Sequence, residues 1–291
     1  MSNINLLMAT DNNYLQHLGV VLISVLENSQ SPELIDITVL DGGISEKNKD
    51  LLHTIVHEYG SNLTIKNVVL QNPEKFIVNG HISIAAYYRI LLPEFFDDHV
   101  KKVIYLDCDV IVNSDIKKLY DIDLENNVIG AVAERLNSRM VSFGYPDNPY
   151  FNSGVLVIDL KKWISENITQ KTLDFIFQNP DKLIYWDQDA LNVCLIDKWL
   201  PLDYHWNYQR EHAIFEKAWK NKNTTLPHIV HFSNNVKPWH YYSRNPYDQL
   251  YYKYLADSPW NDFKPFGKNI RTIITKNAKL TLRKLNLLKS M

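Results

Sequence analysis

Short runs of consecutive apolar residues alternate along this chain with stretches in which apolar residues recur every three or four positions. The first run, Ile4-Asn5-Leu6-Leu7-Met8-Ala9, reads as a buried strand. Polar Thr10-Asp11-Asn12-Asn13 follows, and then a helix with Leu18, Val21, Leu22, Val25 and Leu26 on one face. Ile35–Leu40 predicts a second strand, closed by the turn Asp41-Gly42-Gly43. Ser45 is placed to cap a helix carrying Leu51, Leu52, Ile55 and Val56, and Leu63–Leu70 predicts a third strand. Strand, helix, strand, helix, strand with short connections predicts βαβ units and an α/β fold around a mostly parallel sheet. Val103–Leu106, Val128–Ala133 and Gly154–Leu160 continue the strands, Asp187–Ile196 reads as a helix, and His228–Phe232 as a short late strand. Residues 134–152 and 204–223 are polar, aromatic and irregular, which predicts loops over a site.

Composition adds bounds to this picture. At 291 residues with 45% apolar content, the chain suits one large α/β domain with a sizeable core. Cys108 and Cys194 are the two cysteines, which excludes a disulfide framework and points to a reducing compartment. The N-terminus has no basic region followed by a long apolar segment, so neither a signal peptide nor a membrane span is expected and the protein reads as cytoplasmic. The net charge of −2 hides an asymmetry: after Asp262 there are eight basic residues and no acidic one, leaving −10 on the rest of the chain. The division predicted is a catalytic domain over 1–258 and a basic tail over 259–291 with an anionic partner of its own.

Open parallel sheets bind ligands beyond the carboxyl ends of their strands. After the first strand there is no G-x-G-x-x-G fingerprint and no P-loop, which disfavours a dehydrogenase or a P-loop NTPase. A nucleotide would have to be held by side chains and a metal. Asp-x-Asp occurs at 107/109, 121/123 and 187/189, and twenty-two aspartates in this length produce one or two such triplets by chance. Context separates the three. Asp107 and Asp109 end the most apolar strand, where two carboxylates are costly to bury without a cation and suit a hard divalent ion shared with phosphates. The competing reading is a pair of strand-end aspartates bonded to nearby amides. Asp121 and Asp123 lie in a polar turn, and Asp187 opens a helix that it could simply cap.

With these positions on the page, the chain resembles the glycosyltransferase family 8 enzymes, and most closely the bacterial lipopolysaccharide or lipooligosaccharide galactosyl- and glucosyltransferases. The resemblance spans roughly residues 4–242 in collinear order. It rests on Ala9–Tyr14, on His81-Ile82-Ser83 with Tyr87 and Arg89, and on Tyr105-Leu106-Asp107-Cys108-Asp109. It continues through Phe151-Asn152-Ser153-Gly154-Val155, Asp187-Gln188-Asp189, and His231-Phe232 followed by Lys237-Pro238-Trp239-His240. The resemblance implies a GT-A type fold, a UDP-sugar donor, Mn²⁺ (with Mg²⁺ as the other candidate) and transfer with retention. Position by position, it implies Asp107, Asp109 and His231 as metal ligands, two carboxylates and an imidazole that leave room for diphosphate oxygens. Ala9, Thr10, Asp11 and Asn13 match the uridine contacts, although Asp11 could also cap the next helix. Lys237 matches the lysine that neutralises the departing diphosphate. Arg89 and Asp107 match residues approaching the sugar, Asn152, Asp187 and Gln188 line its pocket, and Cys108 belongs to the same donor-contact set. Asn234 stands where the family often places a glycine for backbone contact with phosphate, and asparagine tolerates the left-handed turn that position would need. Glu134 stands where relatives carry Asp.

The implied chemistry is metal-assisted departure of UDP, with Gln188 beside the back face of the anomeric carbon and Asp187 as the alternative nucleophile. Because an amide is a weak nucleophile, front-face transfer is the favoured route, with Gln188 steadying an oxocarbenium. The acceptor would be a glycan or glycolipid, and nucleic acid is not expected as a partner. Two other classes compete: a metal-dependent sugar nucleotidyltransferase, which would need a Gly-rich basic loop after the first strand, and a non-catalytic nucleotide-sugar-binding module. In the tail, Ile270, Ile273, Ile274, Leu285 and Leu288 form an imperfect helical stripe among the basic residues, which predicts an amphipathic helix on an anionic membrane surface. Deleting residues 264–291 should then abolish salt-sensitive co-sedimentation with phosphatidylglycerol vesicles. Equal pelleting of the full-length and truncated chains, or no pelleting of either, removes the membrane role.

Overall fold

The protein's structure is a computed structural model that describes residues 3–70, 73–76, 84–135, 139–216 and 225–275. Its frame is a seven-stranded sheet. The strands are β1 (Ile4–Thr10), β2 (Ile35–Asp41), β3 (Asn62–Asn67), β4 (Lys102–Leu106), β6 (Ile129–Ala133), β7 (Phe151–Asp159) and β8 (Trp199–Pro201), with β5 (Val110–Val112) lying outside this sheet. The spatial order is β3-β2-β1-β4-β7-β6-β8. The β1–β2, β2–β3, β1–β4 and β6–β8 pairs are parallel, and β7 runs antiparallel to both neighbours. The sheet is thus mostly parallel, with one reversed strand at its centre. The reversal matters for the site, because the start of β7 meets the end of β4.

Alternation along the strands divides the core. Leu6 and Met8 of β1 face helices α1 (Leu15–Glu27) and α2 (Glu46–Glu58), while Leu7 and Ala9 face the opposite layer. That opposite layer is the 3-10 segment Ile84–Phe95 with α5 (Leu160–Ser165), α6 (Ile168–Gln178) and α7 (Trp186–Cys194). Short α3 (Lys117–Tyr120) and α4 (Arg139–Ser142) lie between strands. A third layer closes over α1: β5 pairs antiparallel with β9 (Ile229–His231), and α9 (Asp248–Ala256) packs beside them.

This third layer changes the expected one-faced character of α1. The stripe Leu18, Val21, Leu22, Val25 and Leu26 does face the sheet, but Val20 and Ile23 are equally buried under Trp239, Tyr251, Tyr254 and Leu255. The helix is enclosed on both sides, which a single-stripe pattern does not reveal. Ser45 occupies the N-cap of α2 without a side-chain cap. The turn before it is held instead by Asp41, whose Oδ1 accepts the Gly43 and Ile44 N–H groups at 2.7 and 2.6 Å. The third strand stops at Asn67, three residues short of the apolar run, and Val69 is exposed.

The regions expected as loops over a site carry short helices. These are α4 and α8 (Arg210–Phe215), with the 3-10 turn Tyr204–Asn207 before α8, and Phe151-Asn152 already belong to β7. Residues 217–223, His81-Ile82-Ser83 and the tail past 275 lie outside the described residues. Beyond Ser258, the Trp260 ring sits where a side chain on Gly19 would be, and Phe266 bridges to His240. Among the described residues no helix is long and apolar enough to cross a membrane.

Leu22 is wholly buried between α1 and the sheet. Leu22→Ala should lower unfolding free energy by about 2–5 kcal/mol through lost burial and a residual cavity. Urea denaturation with an unchanged m-value checks this, and a loss under about 1 kcal/mol would show that the layers collapse to fill the space.

Candidate active site

The backbone brings the candidate groups together through pairings on either side of one short segment. At the end of β4, Leu106 lies opposite Val155, so Asp107 comes to face Gly154, and Asp107 N–H donates to the Gly154 carbonyl at 2.8 Å. Immediately after the Asp-Cys-Asp triplet, β5 begins, and Val110 pairs with His231 of β9. Phe232 N–H donates to the Asp109 carbonyl at 2.9 Å, which locks the late strand against the triplet. Carboxylate oxygens of Asp107 and Asp109 and a ring nitrogen of His231 consequently lie within 4.8 Å of one another.

Gly154 is required for this approach. A Cβ there would stand 2.4 Å from His231 Cε1 and 2.6 Å from Asp107 Oδ2. The two side chains therefore use the volume that any other residue would occupy.

Each of the two carboxylates is held by a different cation. Asp107 Oδ1 accepts from Arg89 at 2.9 Å and from the Tyr105 hydroxyl at 2.9 Å, which turns Oδ2 toward His231. Asp109 Oδ1 lies 3.1 Å from His231 Nε2, and its Oδ2 accepts from Lys237 Nζ at 2.6 Å. Burial alone would raise the Asp109 pKa, but Lys237 beside it holds the carboxyl well below the usual range. Lys237 is anchored in turn by the Phe232 carbonyl at 2.7 Å. Its loop is pinned by Trp239, stacked on the buried His17 ring at 3.5 Å between centroids. Burial lowers His17 to about 3, so that ring is neutral and structural.

Arg89 is almost fully enclosed and is shared: its Nη2 bonds Asp107 and its Nε lies 3.1 Å from Asp187 Oδ2. One cation between two carboxylates leaves the group short of positive charge. Burial, which Arg89 offsets in part and Asp107 reinforces, raises Asp187 to about 6. Asp187 thus does not cap its helix as the sequence position suggested. Asp189 instead fixes the segment ahead of the helix, its Oδ2 accepting the Ile184 and Tyr185 N–H groups at 2.7 and 2.9 Å, and it also binds Arg139. Trp186, immediately before Asp187, has φ 39°, a left-handed conformation that costs a bulky residue roughly 1–3 kcal/mol and is confined to positions that the surroundings over-determine.

Gln188 is locked by its partners. Its Oε1 accepts Ser153 N–H at 2.9 Å, while its Nε2 donates to Glu134 at 3.2 Å and to the Tyr150 hydroxyl at 3.1 Å. These groups line a cleft of about 710 Å³ together with Ala9, Thr10, Asp11, Cys108, Asn152 and Asn234. Asn13 does not line it. Asp11 Oδ1 accepts the Asn13 and Tyr14 N–H groups at 2.8 and 3.2 Å, and this turn carries the Asn13 side chain to the exposed outside. Among the described residues, left-handed non-glycine angles occur at Glu125, Asn167, Trp186 and Asp197, so Asn234 makes its turn without one. Asp121 and Asp123 are exposed, as the turn reading expects, with Asp121 paired to Lys117. Tyr87 packs in the core against Phe76, away from the cleft.

Asn207 and Gln209 were invisible to motif reasoning, and Tyr105 lay in a motif that gave it no role of its own. Asn207 bonds His231, and Tyr105 bonds Asp107 from inside the strand that ends in the triplet. Gln209, also in the cleft, has a buried side-chain nitrogen with no partner among the described residues. The signal that could have marked Asn207 and Gln209 is polarity next to Trp206 and Tyr208 in a segment of otherwise aromatic residues.

A divalent ion suits this donor set: two carboxylate oxygens and one imidazole nitrogen converge on a cleft wall that stays open on its ligand side. Comparison with known proteins agrees with the fold. Residues 5–243 match glycosyl transferase family 8, and the chain belongs to that family. General stress protein A of Bacillus subtilis strain 168 is 34% identical over 270 residues, 88% of this chain and 94% of that protein. Lipopolysaccharide 1,3-galactosyltransferase of Salmonella typhimurium is 26% identical over 273 residues, 88% of this chain and 79% of that enzyme. Galactosyltransferase LgtC, crystallised with donor and acceptor sugar analogs, superposes with a TM-score of 0.77 at 28% identity, covering 88% of this chain and 96% of that one. The architecture is accordingly a GT-A type fold.

Gly154→Ala should push His231 and Asp107 apart while leaving the sheet intact. Divalent-cation binding is expected to weaken roughly 10- to 100-fold, as when the surroundings of a metal ligand are disturbed, with little change in the urea midpoint. Calorimetric titration with Mn²⁺ checks this, and unchanged binding would show that the pair relaxes at no cost.

Proposed function

We propose that the cleft binds a UDP-hexose, galactose or glucose, with Mn²⁺ held by Asp107, Asp109 and His231, and that it transfers the hexose with retention to a glycan or glycolipid acceptor. The observation that carries the reading is the convergence of those three groups beside Lys237 and the Arg89–Asp187 pair in a single cleft. The activities of relatives, a lipopolysaccharide 1,3-galactosyltransferase and a galactosyltransferase crystallised with donor and acceptor sugar analogs, support hexose transfer.

When bound, the ion would neutralise diphosphate charge and make UDP a competent leaving group. Lys237, already seated beside Asp109, is within reach to share the diphosphate charge as it develops. Ala9, Thr10 and Asp11, at the end of β1 and in the cleft wall, are placed for the nucleotide. Arg89 keeps Asp107 and Asp187 oriented toward the sugar end. The amide of Gln188 is held at both its oxygen and its nitrogen, and Asp187 is tied to Arg89. Neither is free to advance on an anomeric carbon, which supports front-face transfer with these groups steadying a cationic sugar. Glu134, hydrogen-bonded to both Asn152 and Gln188, borders the same end of the cleft and would touch the sugar or its acceptor.

The test is UDP release from a panel of UDP-sugars with Mn²⁺ or with EDTA, followed by NMR of the product anomer. Activity is expected with UDP-galactose or UDP-glucose, dependent on the ion, giving an α-linked product from the α-configured donor. Asp109→Asn and His231→Ala should each reduce turnover by at least about 10²-fold with the fold retained, because each removes charge control at the leaving group. A β-linked product would overturn retention, and near-native turnover in either variant would overturn the metal assignment.

A further inference from the structure

Which nitrogen of His231 carries hydrogen is decided by a chain of side-chain amides that begins at the backbone. Gly154 N–H donates to Asn152 Oδ1 at 3.0 Å, and a backbone N–H can only donate. Asn152 Nδ2 correspondingly points to the Glu134 carboxylate at 3.1 Å. The orientation of the Asn152 amide is therefore set from both ends. Its Oδ1 also faces Asn207 at 2.9 Å, so the Asn207 atom there must be the donor Nδ2. Asn207 Oδ1 is left pointing at His231 Nδ1, 2.8 Å away, and an oxygen acceptor at that distance requires Nδ1 to carry the hydrogen. Reversing Asn207 would set two oxygens against each other at Asn152, and Asn207 is wholly buried.

In the neutral ring, Nε2 then presents its lone pair to Asp109 Oδ1 at 3.1 Å and Asp107 Oδ2 at 3.9 Å. Three acceptors facing one another are mutually repulsive until a cation stands among them. The backbone puts Asn207 in place: Tyr208 bridges to Val230, and His231 N–H donates to the Tyr208 carbonyl at 2.9 Å.

We infer that Asn207 is the positioning residue of this site: braced by Asn152, it holds His231 as the Nδ1–H tautomer and thereby delivers Nε2 to a divalent ion. The inference rests on His231 being a metal ligand, and its first readout needs no metal.

The experiment uses the full chain with isotope-labelled histidine, stripped of metal with EDTA at a pH where the His231 ring is neutral. NMR of the ring, assigned by difference against His231→Gln, should show Nδ1–H in the wild type. In Asn207→Leu the ring has no acceptor at Nδ1 and should turn to Nε2–H, donating to Asp109. Mn²⁺ affinity should fall in parallel by roughly 10- to 100-fold. Asn207→Asp keeps an oxygen against Nδ1 while spoiling the contact to Asn152, so it should retain Nδ1–H and bind Mn²⁺ within a few-fold of wild type. A purely structural role for Asn207 predicts the opposite, with Asp as damaging as Leu, and that result overturns the proposal. So does Nε2–H in the wild type, or an unchanged tautomer in Asn207→Leu. A wild type that holds Nδ1–H, loses it in Asn207→Leu, and yet binds no Mn²⁺ sustains the positioning role and overturns the metal reading instead.

Discussion

The site depends on the pairing of β9 with β5. Two aspartates at the end of a buried strand come from one local stretch of chain, but the third group belongs to a strand far along the sequence. The Val110–His231 register and the Phe232-to-Asp109 hydrogen bond put that histidine against the second aspartate with no freedom to slide. A one-residue slip in such a pair would send every side chain to the opposite face and remove the imidazole from the cleft. The third layer over α1, with Trp239, Tyr251 and Tyr254 packed on Val20 and Ile23, is what keeps this short pairing buried and in register. The chemistry at the cleft thus rests on hydrophobic burial some distance behind it.

Around the triad, charge is distributed unevenly. Asp109 has Lys237 and is stabilised as a carboxylate. Asp107 and Asp187 share Arg89, and the more buried of the two, Asp187, is raised to about 6 by that burial. The result is a cleft wall short of positive charge on the side where the triad opens, and a cation there would restore the balance. Buried charges are costly unless paired, so an arrangement of this kind is stable when a ligand completes it. The strained backbone at Trp186 sits at the same place, between a helix start and the residues that turn into the cleft.

Many of these residues were legible as motif positions in the sequence, and what the motifs left open has specific causes. The family motifs named Asp107, Asp109, His231, Lys237, Arg89, Asn152, Asp187 and Gln188, and all of them line one cleft. The turn bonded to Asp11 leaves the Asn13 side chain exposed, a direction its motif position does not specify. Capping competed with a cleft role for Asp187 because caps are local, whereas its partner Arg89 comes from a distant 3-10 segment. The one-sided stripe on α1 was correct and incomplete, since periodicity reports the most apolar face and not how many layers cover a helix.

What the sequence by itself determined was the class of fold, the strand that ends in paired carboxylates, and the family to which the chain belongs. Those follow from local signals: runs of apolar residues, their periods, and motifs in collinear order. What only the tertiary structure decided was orientation. The contact of Gly154 with His231 and Asp107, the sharing of Arg89 between two acids, and the amide chain from Gly154 through Asn152 and Asn207 all join residues remote in sequence. Hydrogen-bond direction propagates from a backbone donor whose role cannot change, and only a folded register sets that donor against the first amide. The identity of a ligand can be written in one residue, but the face it offers is settled by neighbours that the chain brings together on folding.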